Sequence, residues 1–149
     1  MAVSRTSFAA AVQGWADATK DDLTAVFRQS ASDVIEEMQK PVGGGGNMPV
    51  DTGFLRASLQ VGINTGPVPL SREHPSPGEG SFTAPQVDLV IAGAEIGDTI
   101  MASYGANYAG HVNYGAKGRQ PRLFVELAAQ NWDQIVNRVV ASFRARRAP

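Results

Sequence analysis

The chain has two histidines, His74 and His111, and histidine is the usual general base and a common metal ligand at neutral pH. His74 lies in a proline-rich stretch whose nearest acidic residues are Glu73 and Glu79. Such a loop offers no rigid element to hold several ligands around a metal ion. We therefore expect His74 to be solvated and to bind no metal.

His111 is predicted to lie on a short helix beside Tyr108 and Tyr114. A packed or hydrogen-bonded imidazole is the better interpretation there than a catalytic one, because a serine triad also needs a sharp nucleophile turn and the chain has no Gly-x-Ser-x-Gly sequence. Cysteine is absent, which removes thiolate metal sites, disulfides and cysteine nucleophiles together.

Neither glycine-rich stretch matches a phosphate-binding loop. Residues 43–46 are four glycines with no Lys-Ser or Lys-Thr pair after them, and residues 115–119 lack both the spacing and the terminal hydroxyl. The adjacent carboxylates at positions 21–22 and 36–37 would diverge by about 100 degrees on a helix rather than share a site. We expect no catalytic residue, no metal and no cofactor, so the chain is predicted not to be an enzyme.

Charge is unevenly distributed along the chain. Residues 1–113 have 6 Lys/Arg and 12 Asp/Glu, a net charge of −6, whereas residues 114–149 have 7 and 2, a net charge of +5. The overall net charge of −1 argues against a general nucleic-acid binder. For the terminal cluster of Arg144, Arg146 and Arg147, solubilisation of the helix end and an interaction role stay equally open. Lys117 and Arg119 are further candidate interaction residues.

The elements that must position these residues begin with a long amphipathic helix. Apolar or small residues recur at helical spacing from Phe8 to Met38, and the proline that follows must end the helix. A break is possible at residues 14–22, with Thr19 as the N-cap of a second segment. Residues 41–48, which include the four glycines, are predicted to form a flexible linker with poor order.

Strands follow this linker. Alternation of apolar and polar residues predicts strands at residues 59–63 and 87–91, and a third is expected at residues 99–104. Residues 65–86 hold five of the nine prolines and show no periodicity. So long a loop is usually functional or disordered, and we expect it to be mobile in the free protein and ordered by neighbours in an assembly.

Short helices and a final long helix complete the pattern. Asp51 or Thr52 can cap a helical turn before the first strand, and residues 107–115 read as a short helix closed by a glycine. The helical period returns from residue 122 to residue 143, with a stripe expected to be buried at Leu127, Trp132, Ile135 and Val139. We predict one α+β domain over residues 1–149, in which a long N-terminal helix and a C-terminal helix pack on a small, mostly antiparallel sheet.

Length and composition are those of one soluble domain. The 149 residues are 43% apolar and 18% charged, which is ordinary for a globular protein with a real core. No apolar run approaches the roughly 20 residues of a membrane-spanning helix, and the first residues lack the hydrophobic core of a signal peptide. We expect a protein made in the cytoplasm without membrane contact.

A more specific indication comes from residues 50–59, Val-Asp-Thr-Gly-Phe-Leu-Arg-Ala-Ser-Leu, which follow the long helix. Further along the chain come Tyr108-Ala109, Tyr114-Gly115 and the entry Pro121-Arg122-Leu123-Phe124 into the last helix. This ordered set resembles the small head-proximal tail components of long-tailed bacteriophages, called tail-completion, neck or head-tail connector proteins. Its motif residues are Asp51, Thr52, Gly53, Leu55, Arg56, Tyr108, Tyr114 and Gly115. Asn113 stands where many relatives have an acidic residue.

The resemblance spans roughly Phe8 to Phe143 and implies a structural virion protein, assembled in the host cytoplasm and located in the neck or tail. It implies a homo-oligomeric ring, commonly a hexamer, with head-tail connector or adaptor proteins and tail-tube or tail-terminator proteins as partners. DNA would pass through this ring without specific binding. A ring uses contacts between two different faces of neighbouring copies, and the opposite charges of the two parts of the chain suit such contacts.

Two alternatives remain open. A tail terminator or minor tail protein belongs to the same class and differs by position in the particle rather than by fold. A nucleic-acid-binding accessory protein belongs to a different class, and its support is the arginine-rich end together with Lys117, Arg119 and Arg122. A steep salt dependence of duplex binding would favour it.

Overall fold

A computed structural model describes residues 8–50, 53–67, 69–70 and 84–147. Helix α1 spans Phe8–Gln39 without interruption, so the break considered at residues 14–22 does not occur. Inside α1, the Thr24 hydroxyl donates to the Lys20 carbonyl over 2.9 Å. The predicted end of the helix before the proline is confirmed. No helix in the described part of the chain has the length and apolar content to cross a membrane.

Helix α1 is packed only in its second half. The described side chains of residues 8–18 are all exposed, whereas Ala31, Ile35 and Met38 are buried. Helices α5 (Phe124–Gln130) and α6 (Trp132–Arg147) pack along α1. The apolar stripe therefore serves the core only where these helices cover it.

The sheet has two strands. Strand β1 (Leu59–Ile63) pairs antiparallel with β2 (Ile100–Tyr104), in a register that places Leu59 opposite Tyr104 and Ile63 opposite Ile100. Both strands were predicted. Beyond the strand ends, the Asn64 side chain accepts from the Thr99 backbone N–H and donates to the Asp98 carboxylate, each over 2.9 Å. These bonds fix the register at the open end of the sheet.

The strand predicted at residues 87–91 is wrong, because these residues belong to helix α3 (Ala84–Ile91). Val87 packs on the core and Ile91 is buried, which is the i, i+4 spacing of a helix face. Leu89, the middle residue of the predicted strand face, is 77% exposed. A short apolar run fits both periods, and here packing against α1 and β1 selects the helix. Within the predicted loop 65–86, residues 68 and 71–83 lie outside the described part of the chain.

The predicted C-terminal helix is two helices that meet at Asn131. The Asn131 side chain donates to the Glu37 carboxylate of α1 over 3.4 Å, and its carbonyl accepts from Ile135 over 2.9 Å. Ile135 and Val139 are buried as predicted, but Leu127 is half-buried and Trp132 is 38% exposed. The buried stripe continues across the break from Ala128 to Ile135, whereas Trp132, the first residue of α6, lies at the surface.

Residues 41–48 form a hydrogen-bonded loop rather than the expected structureless linker. A short 3-10 turn covers Val42–Gly44, and the two ends of the loop are joined by a bridge between Pro41 and Met48. The Met48 N–H donates to the Lys40 carbonyl over 3.1 Å, and the Met48 side chain is fully buried. One buried methionine therefore anchors the glycine-rich segment.

Two short helices complete the α+β fold, α2 (Phe54–Ala57) and α4 (Ala109–Tyr114). The core consists of two apolar clusters that meet at the half-buried Tyr104 of β2. The first cluster joins α1 to the sheet, α3 and α5 and contains Ala31, Ile35, Met38, Leu59, Ile91 and Ala128. The second lies beyond the end of α1 and contains Met48, Phe54, Leu55, Ala106, Ala109 and Phe124.

Candidate interaction cleft

The first part of the motif contributes buried residues to the second core cluster. Phe54 and Leu55 of α2 are buried there. The N-cap position of α2 is Gly53, whose φ of 85° lies in the left-handed region and which makes no side-chain capping bond. The N-cap position is therefore not Asp51 or Thr52, and both of those residues lie outside the described part of the chain.

Arg56 joins this motif to the end of α1. Its Nε donates to the Gln39 carbonyl over 2.9 Å, and the Gln39 side-chain amide donates back to the Arg56 carbonyl over 2.9 Å. The Tyr104 hydroxyl donates to Gln39 Oε1 over 2.8 Å, and burial raises the pKa of this tyrosine well above its ordinary value. Arg56 thus satisfies a carbonyl that the end of a helix leaves without a helical partner. Its role is structural.

Sequence reasoning missed Gln39, whose side chain is 1% exposed. A signal was present, because Gln39 lies four positions after Ile35 and therefore on the same face of the helix. A polar residue in line with the apolar face of a helix indicates a buried hydrogen-bonding role.

The second part of the motif is held by Asn113. This buried side chain donates to the Glu126 carboxylate over 2.5 Å and accepts from the Val125 N–H over 3.2 Å. Tyr114 also hydrogen-bonds Glu126, and this bond raises the pKa of the phenol. Partial burial acts to raise the pKa of Glu126, but the bonds from Asn113 and Tyr114 outweigh it, so the net pKa is lowered. The amide at position 113 therefore serves as both donor and acceptor between α4 and α5.

The two parts of the motif meet across a cleft of about 1240 Å³. The Tyr108 ring packs against Phe54 with 5.9 Å between centroids, which joins α2 to the start of α4. We call this space the interaction cleft. Its described lining is Pro49, Gly53, Phe54, Leu55, Tyr108, His111, Val112, Ala116, Lys117, Arg119, Gln120 and Arg122.

The lining combines apolar and cationic surface. Phe54, Leu55 and Val112 contribute apolar groups, and the loop after α4 contributes Lys117 and Arg119, together with Arg122. No carboxylate belongs to the described lining. A cleft of this kind suits a protein segment that carries both apolar and acidic side chains.

His111 is exposed and lines the cleft, so it is not packed in the interior as expected. Within the described residues, no three His, Asp or Glu side chains lie close enough to hold a metal ion. A metal site in the proline-rich stretch would use Glu73, His74 and Glu79. All three residues lie outside the described part of the chain.

The basic residues that stood out in the sequence do not form one patch. Arg144 lines a groove of about 430 Å³ with Thr19, Asp22 and Leu23 of α1, and Arg146 lies 5.5 Å from the Phe143 ring centroid. Helix α6 ends at Arg147. This groove lies beside the middle of α1, whereas the interaction cleft lies near the end of α1 at Gln39, about 25 Å beyond Asp22 at 1.5 Å per residue. Lys117 and Arg119 thus share a site with Arg122 and not with the terminal arginines.

No protein-family model, curated protein sequence or solved structure matches this chain.

Proposed function

We propose that this chain is a structural subunit of a tailed bacteriophage particle, located in the neck or tail, where it forms a ring that joins the head-tail connector to the tail tube. A hexameric ring, with connector and tail-tube or tail-terminator proteins as partners, is part of this proposal. The observation that carries it is that motif residues from two distant segments of the chain line one open cleft, Gly53 and Leu55 from the first segment and Tyr108 from the second.

The motif residues have different roles. Arg56 is used for folding, Gly53 and Tyr108 line the cleft, and Leu55 does both. Gly115 allows the turn that brings the basic loop to the cleft, because its φ is 83° and a Cβ there would come 2.8 Å from the Arg119 carbonyl oxygen. A motif that both builds and lines a surface supports a binding role for that surface.

The chemistry of the cleft favours a protein partner over nucleic acid. Apolar and aromatic side chains form much of its lining, and the positive charges all come from the single loop between α4 and α5. A duplex would need cations spread along its backbone. Arg144 lies beside Asp22 in the middle of α1, so it does not extend this patch.

A deletion experiment tests the proposed function. Loss of the gene should leave filled heads and tails that do not join, as seen by electron microscopy, and the intact chain supplied in trans should restore complete particles. The doubly substituted chain Lys117→Gln, Arg119→Gln should fold but restore few particles. Arg138→Gln, which removes a mostly exposed charge from α6, is the matched control and should restore particles fully. Normal particles without the gene would contradict the proposal.

A further inference from the structure

The beginning of α1 is an exposed helix that nothing in the described part of the chain covers. Phe8 is 85% exposed and Val12 46% exposed, and they lie four residues apart on one face. Asp17 and Asp21 are also exposed and lie on the opposite side of the same helix. An apolar face backed by acidic residues is typical of a segment that docks between two unlike surfaces.

The interaction cleft has the complementary chemistry. Its apolar lining includes Phe54, Leu55 and Val112, and its positive charge comes from residues 116–122. A helix that lays Phe8 and Val12 on the apolar side would turn its acidic side toward Lys117 and Arg119. Charge complementarity of this kind sets the orientation and speeds the encounter of two surfaces.

The cleft is open to solvent and has a volume of about 1240 Å³, which leaves room for part of a helix about 10 Å across. Residues 8–18, whose described side chains are all exposed, form three turns of α1.

The same copy cannot make this contact. Phe8 and Gln39 mark the two ends of one continuous helix, which places them about 46 Å apart at 1.5 Å per residue. Gln39 is bonded to Arg56, the neighbour of cleft residue Leu55. The projecting helix and the cleft are therefore at opposite ends of the molecule.

We propose that residues 8–21 of one copy dock into the interaction cleft of a second copy. The contact joins two different faces, so each added copy presents a new helix and a new cleft, and growth stops only when the rotation closes a ring. Closure into a ring rests on the proposed function, whereas the contact itself needs only two copies of the chain.

Cross-linking between copies tests the contact directly, because the chain has no cysteine of its own. Val12→Cys protein is mixed with Gln120→Cys protein and treated with a short bismaleimide. We expect dimers that contain both variants. The matched control pairs Val12→Cys with Gln134→Cys, an exposed position on α6, and should give much less product. Equal yields from both mixtures, or no mixed dimer from either, would overturn the proposal.

Charge exchange tests its chemistry. Lys117→Glu with Arg119→Glu should weaken self-association by about tenfold or more in sedimentation velocity, since like charges then face each other. Adding Asp17→Lys and Asp21→Lys should restore association. Thermal unfolding of each variant checks that folding is intact. Failure of the exchanged charges to restore association in folded variants would also overturn the proposal.

The two proposals fail separately. If mixed dimers form but the chain is dispensable for particles, the phage function is contradicted and the contact is kept. If the chain is required for particles but shows no selective cross-linking, the contact is contradicted and the phage function is kept. Binding of duplex DNA that competes with self-association would assign the basic loop to phosphate instead of to the acidic helix.

Discussion

At the residue scale, Asn113 shows why an amide suits position 113 of this chain. An acidic residue at position 113 would face the Glu126 carboxylate, which Asn113 contacts at 2.5 Å. Two carboxylates at that distance repel each other, and only an amide can donate to Glu126 while it accepts from the Val125 N–H. A neutral group that both donates and accepts a hydrogen bond therefore occupies this position.

We expect Asn113→Asp to lower the free energy of unfolding by about 1–3 kcal/mol at neutral pH, because it leaves a buried charge without its donor. The loss should shrink as the pH falls and one carboxyl is protonated. In the double variant Asn113→Asp, Glu126→Gln the glutamine donates to the aspartate, so stability should return. Urea unfolding of the three proteins measures this, and an equally destabilised double variant would argue against the contact.

The lowered pKa of Glu126 also predicts how the free energy of unfolding depends on pH. Its pKa is lowered in the folded state, so its contribution is present above the ordinary carboxyl pKa and is lost as the pH falls through the lowered value. The pKa of Tyr114 is raised, so that group favours the fold below the ordinary phenol pKa and loses its contribution as the pH rises through the raised value. Glu126→Gln should therefore reduce the acid dependence of the melting temperature, measured by circular dichroism. Glu36→Gln, an exposed change on α1, is the control. Unchanged acid dependence in Glu126→Gln would contradict this role.

At the element scale, the loop of residues 41–48 depends on one glycine and tolerates change at another. A Cβ at Gly46 would overlap the Lys40 carbonyl, whereas a Cβ at Gly43 meets nothing within 4 Å. We expect Gly46→Ala to cost about 1–3 kcal/mol, because the backbone must move. Gly43→Ala should be neutral or stabilise by up to about 1 kcal/mol through the unfolded chain. Chemical unfolding of both variants checks this, and equal effects would mean that the loop is the loose connector predicted from the sequence.

The two C-terminal helices make a second contrast. Phe124 is 2% exposed and packs edge-on against Tyr104 at 5.3 Å, whereas Trp132 is 38% exposed. Phe124→Ala should cost about 3–5 kcal/mol, as large-to-small changes in a core do. Trp132→Ala should cost clearly less despite the larger side chain. Urea midpoints measure both, and a larger loss for Trp132→Ala would place the break at Asn131 in doubt.

Periodicity predicted the elements that bury one clear face and failed where length or context decides. Helix α1, β1 and β2 were predicted because their patterns are long or strictly alternating. Helix α3 was mistaken for a strand because five residues fit both periods, and the break at Asn131 was missed because the apolar period continues through it. The cleft itself could not be predicted, since residues 49–55 and 108–122 are joined only by folding.

At the scale of the whole molecule, the fold turns a charge gradient along the sequence into two separate ends. The exposed, acidic start of α1 lies at one end and the basic interaction cleft at the other. The terminal arginines modify this picture, because Arg144 shares a groove with Asp22 of its own chain. Part of that cluster therefore faces the acidic helix within one subunit, and the cleft becomes the stronger candidate for contact between copies.

The most direct test of the virion assignment is quantitative mass spectrometry of purified tailed particles from the genome that encodes this chain. We expect the chain in every preparation, at a constant copy number that corresponds to one closed ring per particle. It should stay with the particles after high-salt washing that removes loosely bound host proteins. Its repeated absence from intact, infectious particles would contradict the proposed place of this protein in the virion.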